Sequence, residues 1–280
     1  MSTDNGQALL SQKSLGDSAE WLHVRADSAE APKFLAEKGL SPWVIDALTE
    51  LETRPRALAH ESGVLLVLRG VNADPGGDPE DMIALRVWLT QGLVVTARRR
   101  HRKLLAIEDL QQRIDRDAGP ATVGQFVVQL VELLAERIGD FVYSIEENLV
   151  LLESQAEGES TTAPLRRELT VLRQQTASIR RYLAPQRDAL EALFRARGAL
   201  SDEDAYAIRD QTDRTIRYVE DLDLARERAL VLQELLQQRV AEQQNARMYV
   251  LAIVSAIFLP LSFLSGIFGM NVGGLSLIHI

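Results

Sequence analysis

The sequence predicts an α/β domain, then long antiparallel helices, then a stalk helix that runs without a break into a transmembrane helix. Three observations carry this. Short strand-like runs crowd the first 100 residues. From Thr122 onward apolar residues recur at threes and fours, the period of a helix. Last, Met248 to Phe268 (MYVLAIVSAIFLPLSFLSGIF) contains no charge. At about 1.5 Å per residue that run makes a helix of roughly 30 Å, the thickness of a bilayer's hydrocarbon core.

Residues 1–20 read as a flexible tail and lack the apolar core of a signal peptide. The α/β domain spans 21–120. Trp21 to Arg25 alternates apolar and polar, as a half-buried strand does. Two short helices follow, over Ala29–Lys38 and Pro42–Leu51. Gly39 stops the first; Ser41 and Pro42 start the second. Two hairpins come next, Arg54–His60 with Val64–Val71 and Met82–Leu89 with Leu93–Arg98. Between them, Asn72–Asp81 (NADPGGDPED) is rich in turn residues and lacks the spacing of an EF-hand loop, so it reads as a solvated turn. The basic run Arg98–Lys103 reads as a strand end leading into a helix over Leu104–Arg116, its charges solvated.

The helix pair spans 121–200. One helix runs from Thr122 to Glu157 and its antiparallel partner from Pro164 to Arg197, with Pro185 expected to kink it. The stalk, 201–247, opens with Ser201 as N-cap and Asp202, Glu203 and Asp204 in its first turn. Its seam is Ile208, Thr212, Thr215, Val219, Leu222, Ala225, Ala229, Leu232, Leu236 and Val240. Asp210 with Arg214 and Asp213 with Arg217 are spaced for ion pairing one turn apart. The membrane helix and the Gly-Met-Asn after it occupy 248–271; 272–280 read as the start of an outside loop and an atypical tail.

Composition narrows function. The 280 residues are 46% hydrophobic and 25% charged, with a formal net charge of -9. Every Lys, Arg, Asp and Glu lies at or before Arg247. The part outside the membrane is therefore acidic, which favours cations and disfavours nucleic acid as partners. There is no cysteine, and His23, His60, His101 and His279 form no ligand pair, so no high-affinity zinc cage is written here. No P-loop, GxGxxG, GxSxG or paired-His motif is present; the chain does not read as an enzyme and needs no cofactor. Arg228, Arg239 and Arg247 precede the membrane helix and no Lys or Arg follows it, which places the N-terminal part in the cytoplasm.

The membrane helix carries a polar stripe. Ser255 and Ser262, with Ser265 or Gly266, lie at helical spacing, flanked by Met248, Leu251 and Leu259, and the stripe continues to Gly269 and Asn271. Small residues let helices pack closely in lipid, and a ring of such helices can also line a pore. Asn271 would then offer its carbonyl oxygen to a cation or its waters, with Met248, Leu251 and Leu259 as constrictions. One helix cannot enclose a pore, so the chain must associate with itself. Asp202, Glu203, Asp204 and Asp213 are candidates to concentrate cations near the inner mouth, although such residues are more often a solvated face.

Over nearly its whole length the chain resembles the CorA-like metal-ion transporters, and within them it is similar to the ZntB-type zinc transporter branch. The matching stretches are Glu52–Arg56 (ETRPR), Leu68–Asn72 (LRGVN), Pro75–Met82 (PGGDPEDM), Trp88, Arg98–Arg100 and Gly269–Gly274 (GMNVGG). The resemblance implies an α/β/α cytoplasmic sandwich and a homopentamer in the lipid of a bacterial inner membrane. It implies transport of zinc, with Gly269, Met270 and Asn271 as selectivity filter and Met248, Leu251, Ser255, Leu259 and Ser262 lining the pore. A magnesium or cobalt transporter of the same superfamily and a tail-anchored coiled-coil scaffold are the alternatives. Family members carry a second transmembrane helix; here LSLIHI follows Gly274 instead, which suggests a truncated reading frame.

Overall fold

The computed structural model describes residues 8–17, 19–51, 53–60, 63–74, 76–99, 103–158, 162–196 and 200–270. Six strands, β1 (Leu9–Leu15), β2 (Ala19–Arg25), β3 (Arg56–His60), β4 (Gly63–Gly70), β5 (Ile83–Leu89) and β6 (Leu93–Arg98), form one sheet in the order β1-β2-β6-β5-β4-β3. Among the described residues, only β2 and β6 pair in parallel; the other four pairings are antiparallel. Leu9–Leu15, expected within a flexible tail, are therefore a strand. Its alternating half-buried and exposed residues mark a sheet edge, a weaker signal than the apolar runs of β4 and β5.

Helices cover both faces, which gives the α/β/α sandwich. On one face, α1 (Ala31–Glu37) and α2 (Pro42–Thr49) bury Leu35, Val44 and Leu48 against Leu22, Leu65, Val67, Trp88 and Val95. Gly39 ends α1 with a φ of 82°, the left-handed cap that glycine adopts without strain. Arg86 is fully buried on this side. It donates to the backbone carbonyls of Glu50 and Leu51, and burial together with the nearby Arg69 and Arg99 charges lowers its pKa to about 10.

On the other face lie α3 (Leu105–Asp115), the first turns of α4 (Val123–Glu157) and the end of α5 (Thr162–Arg195). Phe126, Leu130 and Leu134 of α4 and Leu190 and Leu193 of α5 meet Trp21, Leu66, Leu85 and Val87. Phe126 stands edge-on to Trp21 with ring centroids 4.8 Å apart. Three of the stretches that carry the family resemblance, those holding Thr53, Arg69 and Met82, meet at Arg69. Its guanidinium donates to Thr53 O at 2.6 Å and Met82 O at 2.8 Å and lies over the Tyr182 ring. Its backbone N–H donates to Gln186 Oε1 at 2.6 Å, which ties the sheet to α5.

A buried polar chain crosses this layer. Arg98 Nε donates to His23 Nε2 at 3.1 Å, so the His23 proton sits on Nδ1, which donates to Thr96 Oγ1 at 2.8 Å; Trp21 Nε1 donates to the same oxygen at 2.7 Å. Burial first, then the Arg98 charge, lowers the His23 pKa to about 3. Between that value and its unfolded value near 6.5 the unfolded chain binds a proton that the folded chain does not. Stability is then full above pH 6.5 and falls as pH drops toward 3. Relative to His23→Gln, the wild type is expected to lose about 1.4 kcal/mol of unfolding free energy per pH unit across that window. Urea titrations of both proteins at pH 6 and pH 4.5 check this; parallel losses would remove His23 as the cause.

The helical half is a three-helix bundle. Helix α6 (Asp202–Met270) is one unbroken helix that passes through Pro260, and α5 likewise continues through Pro185. Successive contacts set the directions. Glu153 of α4 pairs with Arg228 and Gly158 O accepts from Arg239 of α6, so those two run parallel. Arg180 and Arg173 of α5 meet Asp223 and Gln233 of α6 in reverse order, so α5 runs antiparallel to α6. Buried Ile145, Leu149, Leu172, Ile179, Leu222, Ala229 and Leu236 fill the interior. The expected stalk therefore packs into the bundle along its seam as far as Leu236.

Candidate pore helix

Local chemistry explains where α6 starts. Ser201 Oγ accepts from Asp204 N at 3.1 Å while its hydroxyl donates to Asp204 Oδ2 at 2.7 Å. Asp204 faces Gly124 of α4, where a Cβ would stand 2.0 Å from Oδ2. Asp204 is therefore a clasp between two helix starts. The expected seam is found from Ile208 to Leu236, all buried, with Val240 half-buried. Thr212 and Thr215 satisfy their hydroxyls on the carbonyls of Ile208 and Gln211. Arg214 does not reach Asp210; its Nε donates to Tyr218 Oη. Asp213 with Arg217 also makes no ion pair within 4 Å. The bidentate fork of Arg180 holds the Asp223 carboxyl below its ordinary pKa.

Among the described residues, Arg239 makes the last hydrogen bond from α6 to the bundle, to Gly158 O. Residues 241–268, about 42 Å of helix, are all exposed in the protomer. The most apolar 18-residue window of α6 has a mean hydropathy of 2.3 and none of it is buried. Among the described residues it is the one helix long and apolar enough to cross a membrane. Water does not tolerate such a surface; lipid and copies of the same helix do.

The helix sorts its residues by face. At about 100° per residue, Met248, Leu251, Ser255, Leu259 and Ser262 fall within a strip about 80° wide, and Gly266 and Gly269 continue it. Ile253, Ile257 and Leu264 lie on the opposite side. Met248, Leu251 and Leu259 are 65%, 59% and 72% exposed, so none of the described residues covers the strip. Ser265 lies beside the strip, and its hydroxyl donates to Ser262 O at 3.1 Å. Nothing lies within 4 Å of a Cβ built on Gly266. Helical backbone reaches Gly269 and Met270; Asn271 lies outside the described residues.

The acidic candidates are not brought to this helix's membrane end. Asp202, Glu203 and Asp213 are exposed and Asp204 half-buried, and they stand roughly 50–70 Å along α6 from Met248. Charges so far apart are screened within a Debye length of about 8–10 Å. Among the described residues no group of three or more His, Asp or Glu is placed to hold a metal. Residues that reading by motif did not single out include His23, Arg86 and the Gln186 contact. Of these, Arg86 carries the one legible signal, a charge inside an otherwise apolar strand.

Comparison with known proteins gives concordant matches. The family model described as "CorA-like Mg2+ transporter protein" matches residues 16–277. The "Divalent cation transporter CmaX" of Pseudomonas aeruginosa is 39% identical over 266 residues, 93% of this chain and 79% of that protein. The "Zinc transport protein ZntB" of Yersinia enterocolitica is 30% identical over 257 residues, 91% of this chain and 77% of that protein. The solved structure of full-length CmaX superposes with a TM-score of 0.87 at 33% identity, covering 100% of this chain and 92% of the other. The CorA magnesium transporter of Methanocaldococcus jannaschii gives 0.77 at 19% identity over 93% of this chain and 82% of the other, a likeness of fold.

Proposed function

This chain belongs to the CorA-like Mg2+ transporter family, and from that premise we propose that it conducts zinc through a homopentameric pore lined by the α6 strip. The family transports divalent cations and is not a family of enzymes; the ions are cargo, and no cofactor is needed. It places the chain in the bacterial inner membrane with the α/β domain in the cytoplasm. Membership also leaves no ground for the scaffold reading.

The observation that supports the pore is the uncovered strip from Met248 to Ser262, on the part of α6 where every residue from 241 to 268 is exposed. Five copies of α6 set side by side turn five such strips inward, while Ile253, Ile257 and Leu264 face lipid. Met248, Leu251 and Leu259 then narrow the path, Ser255 and Ser262 line it with hydroxyls, and Gly269, Met270 and Asn271 form the filter at its outer end. Neutral oxygens of this kind suit a cation that keeps most of its water, and they do not by themselves separate zinc from magnesium. Zinc is favoured by the ZntB relatives and the shared motifs. The relative with the higher identity is named only for divalent cations, which keeps magnesium as the second reading.

The test is uptake of radioactive zinc and magnesium into liposomes holding the purified protein. Zinc influx is expected, with Asn271→Ala lowering it by roughly 10- to 100-fold, the cost of losing an oxygen contact to a charged partner. Magnesium influx without zinc would overturn the ion, and fluxes unchanged in Asn271→Ala would overturn the filter.

A further inference from the structure

Away from α6, a cavity of about 310 Å³ opens where the loop after β4 and the start of α3 meet the middle of α4. Its apolar wall is built from Val71, Leu104, Ala106, Leu134 and Phe141. Gly70 makes the floor possible, because a Cβ there would stand 2.4 Å from Leu104 Cδ1 and 2.7 Å from Leu134 Cδ2. The volume falls at the small end of ligand pockets, roughly 300–1,000 Å³.

The rim decides the chemistry. Arg137 reaches it but is neutralised by Asp109 at 2.7 Å. The Ser144 hydroxyl is spent on Phe141 O at 2.8 Å. Asp140 also lines the cavity; it is exposed and makes no hydrogen bond or ion pair among the described residues. One uncompensated carboxylate thus stands over an apolar floor. That arrangement favours an occupant with an apolar body and a positive head, and disfavours an anion of the same shape.

We propose that this cavity is a binding site for a small amphipathic cation, its apolar body against Leu104, Leu134 and Phe141 and its ammonium on Asp140. Leu104 and Val71 belong to the sheet side and Leu134 and Phe141 to α4, so the bound molecule bridges the α/β domain and the bundle that carries α6. The site rests on the cavity's own lining and is independent of the ion path.

The experiment is calorimetric titration of the detergent-solubilised full chain with benzylammonium, benzoate and benzyl alcohol, with empty micelles as blank. Benzylammonium is expected to bind saturably and to raise the unfolding temperature, about fivefold tighter than benzyl alcohol and tighter still than benzoate. Asp140→Asn should erase the preference for the cation while leaving weak binding of the alcohol. Ser144→Phe, which fills the cavity from its rim, should abolish binding of all three with the ligand-free unfolding temperature unchanged. Equal affinity for cation and anion, a preference that survives in Asp140→Asn, wild-type binding by Ser144→Phe, or no saturable binding would each overturn the proposal.

Discussion

Replacing Ser255 by Lys is expected to lower divalent-cation uptake into liposomes by more than about 100-fold without reducing the amount of protein inserted. Ser255 sits mid-strip on the uncharged part of α6. In a pore one ammonium about 5 Å from a divalent ion repels it by roughly 7 kcal/mol at an effective dielectric of about 20. A ring of such charges raises the barrier further, so even a heavily screened remnant exceeds the 2.7 kcal/mol or so that corresponds to 100-fold. Ser255→Ala keeps the bore and adds no charge; its flux should stay within about twofold of the wild type. Normal uptake by Ser255→Lys would mean that ions do not pass along this strip.

Phe126→Ala should cost about 3–5 kcal/mol of stability, the range for deleting a large buried aromatic side chain. Phe126 is fully buried where the first turns of α4 dock on the sheet, and its removal strands the indole of Trp21, which it meets edge-on. Trp21 in turn holds the Thr96 hydroxyl that orients His23. Urea unfolding followed by tryptophan fluorescence measures the loss directly. A cost below about 1 kcal/mol would show that the α4 start does not pin the helical layer to the sheet.

Much of this architecture can be read from residue order because period and burial are coupled. The central strands β4 and β5 are covered on both faces, so they appear as near-continuous apolar runs. The bundle core repeats at threes and fours because one stripe of each helix faces the other two. The strip on α6 is legible for the same reason, since helix geometry converts spacing into a face without any tertiary information.

What was not legible depends on partners distant in the chain. The strand β1 carries Ser11, Gln12 and Lys13 at a sheet edge and shows its identity only through its pairing with β2. Arg214 is spaced to meet Asp210, but Tyr218 lies one turn the other way and takes the guanidinium. Asp204 reads as a solvated charge near a helix start, yet Gly124 of another helix closes against it. The cavity beside Asp140 draws its wall from three separate segments, and no local pattern announces it.

The ion path itself can be tested by a scan that the composition makes simple, because the chain contains no cysteine. Single cysteines placed along the membrane part of α6 would be exposed to a membrane-impermeant, positively charged thiol reagent while cation flux is recorded. Modification and block are expected at Met248, Leu251, Ser255, Leu259 and Ser262, with Ile253, Ile257 and Leu264 silent. Modification of those last three with the strip silent, or no helical period at all, would contradict this path.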